Sequence, residues 1–302
     1  MMKQLLKTFT FYTIGDWGAF RSEELDVLKC VAKQMHEHSF ENRPTFVCAL
    51  GDNFYDKGID SEFSPRWVHN FYNIFIDPYP RFQSLPWYAI LGNHDYYGGY
   101  TSVNAEIAHT KLSLNWCMPK HNYDFHEPMT RSYYIYLDTC QIYKELYFET
   151  ELMITKEDEE NTLLWLENRL IEARKNNANW IFVFGHYHIF SNGVYKNYDV
   201  MMQRLLPLLT KYNVDIYFSG HEHNFQVLKY KNTYFIVNGA GAFSYEVSKQ
   251  NIQNDVETKY VSSSNGFSIH TVTDTTCTIE FKNIWGETEY TQTMKNVLEG
   301  GS

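Results

Sequence analysis

Five times along this chain a short run of β-forming residues ends in a glycine that is followed at once by a metal-capable side chain. The blocks are Gly15-Asp16-Trp17-Gly18, Gly51-Asp52-Asn53-Phe54-Tyr55, Gly92-Asn93-His94-Asp95, Gly185-His186 and Gly220-His221-Glu222-His223. The runs ahead of them are Thr8–Ile14, Thr45–Leu50, Trp87–Leu91, Trp180–Phe184 and Val214–Ser219, and Tyr133–Leu137, Tyr234–Val237, Phe267–Val272 and Thr276–Phe281 read as further strands. Helical patterns fall between them at Glu23–His36, Pro65–Phe75, Val103–Leu112, Glu157–Arg174 and Tyr198–Leu209. This alternation predicts an α/β fold. Such sheets bind ligands at the strand ends, where the backbone is free of the ladder while the strand still fixes its position. A single block is an ordinary turn or cap. Five together, carrying carboxylates, an amide, a phenol and imidazoles, describe a site.

The rest of the sequence narrows the class. With 302 residues, 44% of them apolar, the chain has material for a sizeable core. A formal charge of −10 opposes binding to a phosphate backbone by charge, so no nucleic-acid partner is expected. No stretch reaches the ~18 apolar residues of a spanning helix. The opening, Met1 to Ile14, has Lys3 and Lys7 inside a β-like run rather than the apolar region of an export signal. The five cysteines are scattered without a CxxC, and no Asn-x-Ser/Thr sequon occurs, so disulfides are not implied. No Pro/Gly/Ser-rich linker or repeat divides the chain, which predicts one domain over residues 1–299, with 300–302 a linker or tag remnant. Thr155 and Asp158 have capping-box spacing ahead of the helix that contains Leu163, Leu166 and Leu170. The acid-rich stretch Gln141–Glu160 reads as a surface excursion.

Taken together, the five blocks resemble the metallophosphoesterase superfamily. With Tyr55 in the second block they resemble the purple acid phosphatases, particularly the small tartrate-resistant type. The likeness runs from about Thr8 to about Tyr245 and includes Pro86-Trp87-Tyr88 and Leu205-Leu206-Pro207-Leu208-Leu209. The resemblance implies a two-sheet β-sandwich flanked by helices. It also implies a binuclear centre: one metal held by Asp16, Asp52, Tyr55 and His223, the other by the shared Asp52 with Asn93, His186 and His221. Many relatives carry Asp-x-His in the first block, whereas here Gly18 stands at the histidine position and Tyr55 is the candidate replacement. A phenolate is a hard anionic donor suited to Fe(III), and the second donor set suits Fe(II), Zn(II) or Mn(II). The implied reaction is hydrolysis of a small phosphomonoester by in-line attack of a metal-bound hydroxide. His94 would assist phosphate binding or leaving-group protonation, and Asp95 would orient His94 or its loop. Two other readings are hydrolysis of phosphodiesters or nucleotide pyrophosphates by the same superfamily, and a non-catalytic scaffold that retains the fold.

One departure bears on the acid. Where the tartrate-resistant type continues His-Tyr-Pro and reaches a Glu-His pair, this chain has His188 for the proline and Val194-Tyr195 for the pair. General-acid duty then falls to His94, to His188 or to water, and His188 reads equally as an exposed strand-end residue. Tyr96, Tyr97 and Tyr100 read either as a pocket rim or as ordinary packing. His36, His38, His69, His121 and His126 are expected to face solvent. Gly239-Ala240-Gly241-Ala242 resembles a pocket-closing segment of the family. The compartment and oligomeric state are open.

Overall fold

The structure, a computed structural model, describes residues 8–143, 154–249 and 255–296. The proposed tag remnant at 300–302, the lysines of the opening and the middle of the acid-rich excursion lie outside those residues. In chain order the strands are β1 (Phe9–Ile14), β2 (Phe46–Ala49), β3 (Trp87–Ala89), β4 (Trp116–Cys117), β5 (Tyr123–Glu127), β6 (Ser132–Tyr136), β7 (Trp180–Phe184), β8 (Ile216–Ser219), β9 (Phe225–Tyr230), β10 (Thr233–Asn238), β11 (Val256–Ser262), β12 (Gly266–Val272), β13 (Thr276–Asn283) and β14 (Thr288–Lys295). They form two sheets, ordered β14-β13-β12-β1-β2-β3-β4 and β11-β9-β10-β8-β7-β6-β5.

The second sheet has a parallel centre and antiparallel flanks, and the first joins a parallel half to an antiparallel one. β1 to β4 run parallel in one, and β6, β7, β8 and β10 in the other. Parallel strands covered on both faces need apolar side chains throughout, and FVCA, WIFVF and IYFS are buried at every position. The sheets meet through aromatic rings. Phe11 of β1 stacks on Phe46 at 5.1 Å and meets Tyr134, Phe184 and Phe218 of the opposite sheet at 5.5, 6.1 and 6.1 Å. Offset and edge-on pairs of this kind add about 0.5–1.5 kcal/mol each beyond burial. Because β1 packs onto the centre of the second sheet, the loops after β1, β2 and β3 come to lie beside those after β7 and β8.

Helices α1 (Ser22–Asn42), α2 (Asn93–Tyr96), α3 (Gly99–His109), α4 (Lys156–Lys175), α5 (Asp199–Arg204) and α6 (Leu206–Lys211) flank the sheets, with a π-helical segment at Trp67–Ile76. The predicted cap of α4 forms: Asp158 N–H donates to Thr155 Oγ1 at 3.1 Å and Thr155 N–H to Asp158 Oδ2 at 2.7 Å. Three expectations need correction. The pattern at Pro65–Phe75 folds as the π-helical segment. Tyr198–Leu209 divides into α5 and α6 at Leu205, because Pro207 lacks an N–H and its ring crowds the preceding turn. Strands β4, β5, β9, β11 and β14 escaped the sequence reading. β11 and β14 are sheet edges with few buried positions, so they lack clean alternation. All five cysteines are free, and no helix among the described residues is long and apolar enough to cross a membrane.

Candidate metal centre

The five glycine-led loops converge where the carboxyl ends of β1, β2, β3, β7 and β8 meet. Asp16, Asp52 and His221 hold left-handed backbone angles, φ 54°, 53° and 66°, which non-glycine residues seldom adopt and which folds retain mainly where a site needs them. Hydrogen bonds lock the loops together: Asp16 Oδ2 accepts from His221 N–H at 2.8 Å, and Gly220 N–H donates to His186 O at 3.0 Å. Gly18 has a steric reason to lack a side chain. A Cβ there would lie 2.4–2.5 Å from the Asn53–Phe54 backbone, so this backbone has no room for a histidine at position 18.

All seven expected ligands are buried and fall into two groups that share Asp52. In the first, the Tyr55 hydroxyl lies 2.8 Å from Asp52 Oδ2, 3.1 Å from Asp16 Oδ1 and 3.0 Å from His223 Nε2, and His223 Nε2 is 3.2 Å from Asp16 Oδ1. In the second, Asn93 Oδ1 lies 3.0 Å from His186 Nε2 and 2.9 Å from His221 Nδ1, and His186 Nε2 is 3.4 Å from Asp52 Oδ1. Ligand atoms of Asp16, Asp52 and His223, and of Asp52, His186 and His221, each lie within 4.8 Å of one another.

The chemistry of these atoms fits cations. His186 Nδ1 donates to Leu50 O at 2.8 Å, which turns Nε2 towards the centre. Asn93 Nδ2 donates to the Tyr97 hydroxyl at 2.9 Å, which turns Oδ1 the same way. Imidazole nitrogens and an amide oxygen aimed at one point are a donor set for a divalent cation. In the first group one phenolic proton faces both Asp52 Oδ2 and Asp16 Oδ1. The titration preferences agree. Burial, with Asp52 adding, pushes Asp16 well above the ordinary carboxylate range, and burial with both aspartates does the same to Tyr55. Burial would raise Asp52 too, but His186 and His94 outweigh it and hold it low. Burial holds His223 down to about 4 and His221 well below its usual value. Asp16, Tyr55, His221 and His223 thus resist taking on charge here, and a cation favours the ionised carboxylate and phenol.

Two tyrosines were missed as supports. The Tyr198 hydroxyl lies 2.8 Å from His221 Nε2, on the far side of the ring from the centre, and Tyr97 holds Asn93. Tyr198 follows no strand, and only the folded chain brings it near His221, whereas Tyr97 stands four residues beyond Asn93, a spacing that one helical turn makes a contact. Tyr96 is buried against Asp138, and Tyr100 is exposed but does not line the cleft over the centre; the rim reading of these three fails.

That cleft, about 320 Å³, is lined by Asp52, Tyr55, Asn93, His221 and His223 below, and by His94, Phe20, Tyr195, Phe243 and Tyr245 around its mouth. His94 is partly exposed there. Its Nδ1 donates to Asp56 O at 2.7 Å and its ring lies 4.1 Å from that of Tyr55. Asp95 serves the loop rather than the His94 ring: it accepts from Gly92 N–H at 2.8 Å, Asn53 N–H at 2.9 Å and Phe54 N–H at 3.1 Å. His188 matches neither of its two readings. It is buried, donates from Nε2 to Lys196 O at 2.7 Å, and burial holds it down to about 4. Gly239 and Gly241 pack closely on Asp16 and Gly15, behind the centre rather than in the lining of the cleft. His69 and His126 are exposed as expected, whereas His36 stacks on Tyr79, His38 bonds Gly286 O and His121 pairs with Asp138 at 2.7 Å.

Comparison with known proteins agrees with this geometry. The model of the calcineurin-like phosphoesterase family matches residues 9–225. Tartrate-resistant acid phosphatase type 5 of Oryctolagus cuniculus is 33% identical over 247 residues, covering 78% of this chain and 74% of that protein. Purple acid phosphatase 3 of Arabidopsis thaliana is 30% identical over 294 residues, covering 92% and 75%. Among solved structures, GAP50, described as the anchor in the inner membrane complex of Plasmodium, superposes with a TM-score of 0.82 at 24% identity, covering 96% of this chain and 89% of that one. A purple acid phosphatase from yellow lupin seeds gives 0.69 at 16% identity, covering 96% and 54%. These two likenesses speak to the fold alone.

Proposed function

Because the chain belongs to the calcineurin-like phosphoesterase family, we propose that it is a dimetal phosphatase that hydrolyses phosphomonoesters. The observation that carries this reading is the pair of buried donor groups joined by one carboxylate, Asp52. Asp16, Asp52, Tyr55 and His223 would hold Fe(III), since three hard oxygen donors suit a trivalent ion. Asp52, Asn93, His186 and His221 would hold a divalent Fe, Zn or Mn. When bound, such a pair supplies a nucleophile from water at working pH and neutralises the phosphate oxygens.

The chain's own residues do the rest. His94 N–H donates to Asp52 Oδ1 at 2.9 Å and fixes that carboxylate. The bond from His94 Nδ1 to Asp56 O leaves Nε2 as the nitrogen for the substrate. When protonated, Nε2 donates to a phosphate oxygen or to the departing alkoxide; when neutral it does not. With His188 buried, His94 is the imidazole at the mouth of the cleft that is left for the substrate, and it is the acid we assign in preference to water. The substrate is a small phosphate ester, with no nucleic-acid partner. Tyr55 and the glycine at position 18 favour monoesters over the diesters processed through an Asp-x-His arrangement.

The test is hydrolysis of a chromogenic phosphomonoester by iron-and-zinc-loaded protein from about pH 4 to about pH 8, beside His221→Ala. Activity that disappears in the variant supports the reading, and a replete but inactive protein gives first place to a scaffold. Ferric iron on Tyr55 predicts a visible phenolate-to-iron band that Tyr55→Phe abolishes; a band that survives removes Tyr55 from the site.

A further inference from the structure

Glu106 is a charged residue type in a place where charge is hard to keep. A glutamate on a helix ordinarily faces water, yet Glu106 of α3 is fully buried, and its main-chain oxygen accepts from Trp116 Nε1 at 3.0 Å, which fixes the helix against β4. Its carboxyl group reaches Asp95, beneath the loops that carry Asp52, Asn93 and His94. Two acids meeting in a dry interior cannot both ionise without a cation between them. Arg66, the guanidinium that acts on Glu106 by charge, is spent on Gly58 O and Tyr55 O at 2.7 and 2.5 Å.

The hydrogen bonds tell the two acids apart. Asp95 accepts from the main-chain N–H of Gly92, Asn53 and Phe54 at 2.8, 2.9 and 3.1 Å, so its negative charge is well supported. Glu106 Oε2 accepts only from Asn53 Nδ2 at 3.0 Å, and that amide must also serve Ile90 O at 2.9 Å and Asp95 Oδ2 at 3.2 Å with two hydrogens. Glu106 Oε1 is buried with no hydrogen-bond partner among the described residues. A bare carboxylate oxygen there would bear an unpaid desolvation cost, which a proton removes by turning the atom into a donor for Asp95. Burial first, and Asp95 next, push the Glu106 carboxyl well above the ordinary range, in keeping with that arrangement.

We propose that Glu106 is a positioning residue of the metal centre: as the un-ionised acid it donates from Oε1 to Asp95 and so holds the turn that presents Asn93 and His94. Asp95 gathers the second and third glycine-led loops through Asn53, Phe54 and Gly92, and the same turn sends His94 N–H to the shared carboxylate Asp52 at 2.9 Å. A support for Asp95 is therefore a support for a ligand of the second half, for the bridging carboxylate and for the assigned acid. In its effect on turnover the proposal rests on the phosphatase reading above.

The experiment reads the proton first. Infrared spectra of metal-loaded protein near neutral pH, with the side-chain carboxyl carbon of glutamate isotopically labelled, should show the carbonyl stretch of an un-ionised acid, shifted by the label and lost in Glu106→Gln. If no such band is lost in that variant, the proposal is overturned. The second arm follows divalent-metal retention during stepwise chelation, and kcat, in Glu106→Gln and Glu106→Leu. Glutamine is uncharged and keeps an N–H for Asp95, so it should stay within about three-fold of wild type, whereas leucine, with no donor, should lose about ten- to a hundred-fold in both. Equal losses in the two variants would reduce Glu106 to packing and overturn the positioning role. If the leucine variant does not fold, the band and the rescue by glutamine decide. Both the band and metal retention are read without substrate, so an inactive protein would sink the phosphatase reading and leave this assignment standing or falling by itself.

Discussion

The two halves of the centre are built to different standards of rigidity. Around Asn93, His186 and His221 every ligand is braced from behind: Leu50 O takes the outer proton of His186, Tyr198 meets the outer nitrogen of His221, and Tyr97 takes the amide proton of Asn93. Around Asp16, Tyr55 and His223 the contacts run chiefly among the ligands themselves, and the outer nitrogen of His223 has no hydrogen-bond partner among the described residues. Outer partners fix a ring's tautomer and orientation before an ion arrives. The second half is therefore preorganised, while the first depends on its cation to hold a phenol, a carboxylate and an imidazole in one place. One centre thus offers two solutions to the problem of gathering lone pairs in a dry interior.

The largest effect expected from this contrast falls where the halves join. Asp52→Ala should lose both metals and at least about a thousand-fold in activity, whereas His223→Ala and His186→Ala should each empty chiefly their own half. Metal analysis after gel filtration reads this directly, and a full complement retained by Asp52→Ala would break the picture of a shared carboxylate. Next come the braces. Tyr198→Phe and Tyr97→Phe should weaken binding in the second half about ten- to a hundred-fold while the first half keeps its metal. Metal content during stepwise chelation would show it, and equal loss from both halves would mean that the tyrosines support the loop cluster as a whole.

The smallest effect is in acid. Burial holds His223 at about 4 in the metal-free fold, below its ordinary value, so the unfolded chain takes up that proton first as the pH drops. The stability of the metal-free protein should therefore fall between about pH 6.5 and about pH 4, by up to about 1.4 kcal/mol per pH unit from this group. In His223→Asn that share of the slope disappears. Urea titrations at a few pH values compare the two proteins, and identical slopes would show that the unbraced half is wetter than its burial implies.

The parts of this molecule that could be read in advance share a local signature. The central parallel strands are continuous apolar runs, so β1, β2, β7 and β8 stand out, and the glycine-led loops after them carry the ligands within a few residues. The polar edge strands β11 and β14 carry no such mark, because half-exposed edges tolerate almost any side chain. The break between α5 and α6 was legible in Pro207 but was overlooked. Distance along the chain hid the rest. Nothing near Tyr198 announces His221, and nothing around Val194-Tyr195 shows that Glu222 would pin that loop and turn a tyrosine ring towards the cleft.

Sequence alone determined which atoms are available: four oxygen-bearing and three imidazole side chains, each at the end of a strand, and a glycine rather than a histidine at position 18. Chemistry of that kind belongs to residue type and to the few bonds around it. Tertiary structure decided how the seven divide about Asp52, which imidazoles are backed and which are not, and that His188 is sealed beneath the floor while Tyr195 forms a wall. Those outcomes depend on which loops the packing of two sheets brings within about 3 Å of one another, and hydrogen-bond geometry at that range is set by the fold as a whole.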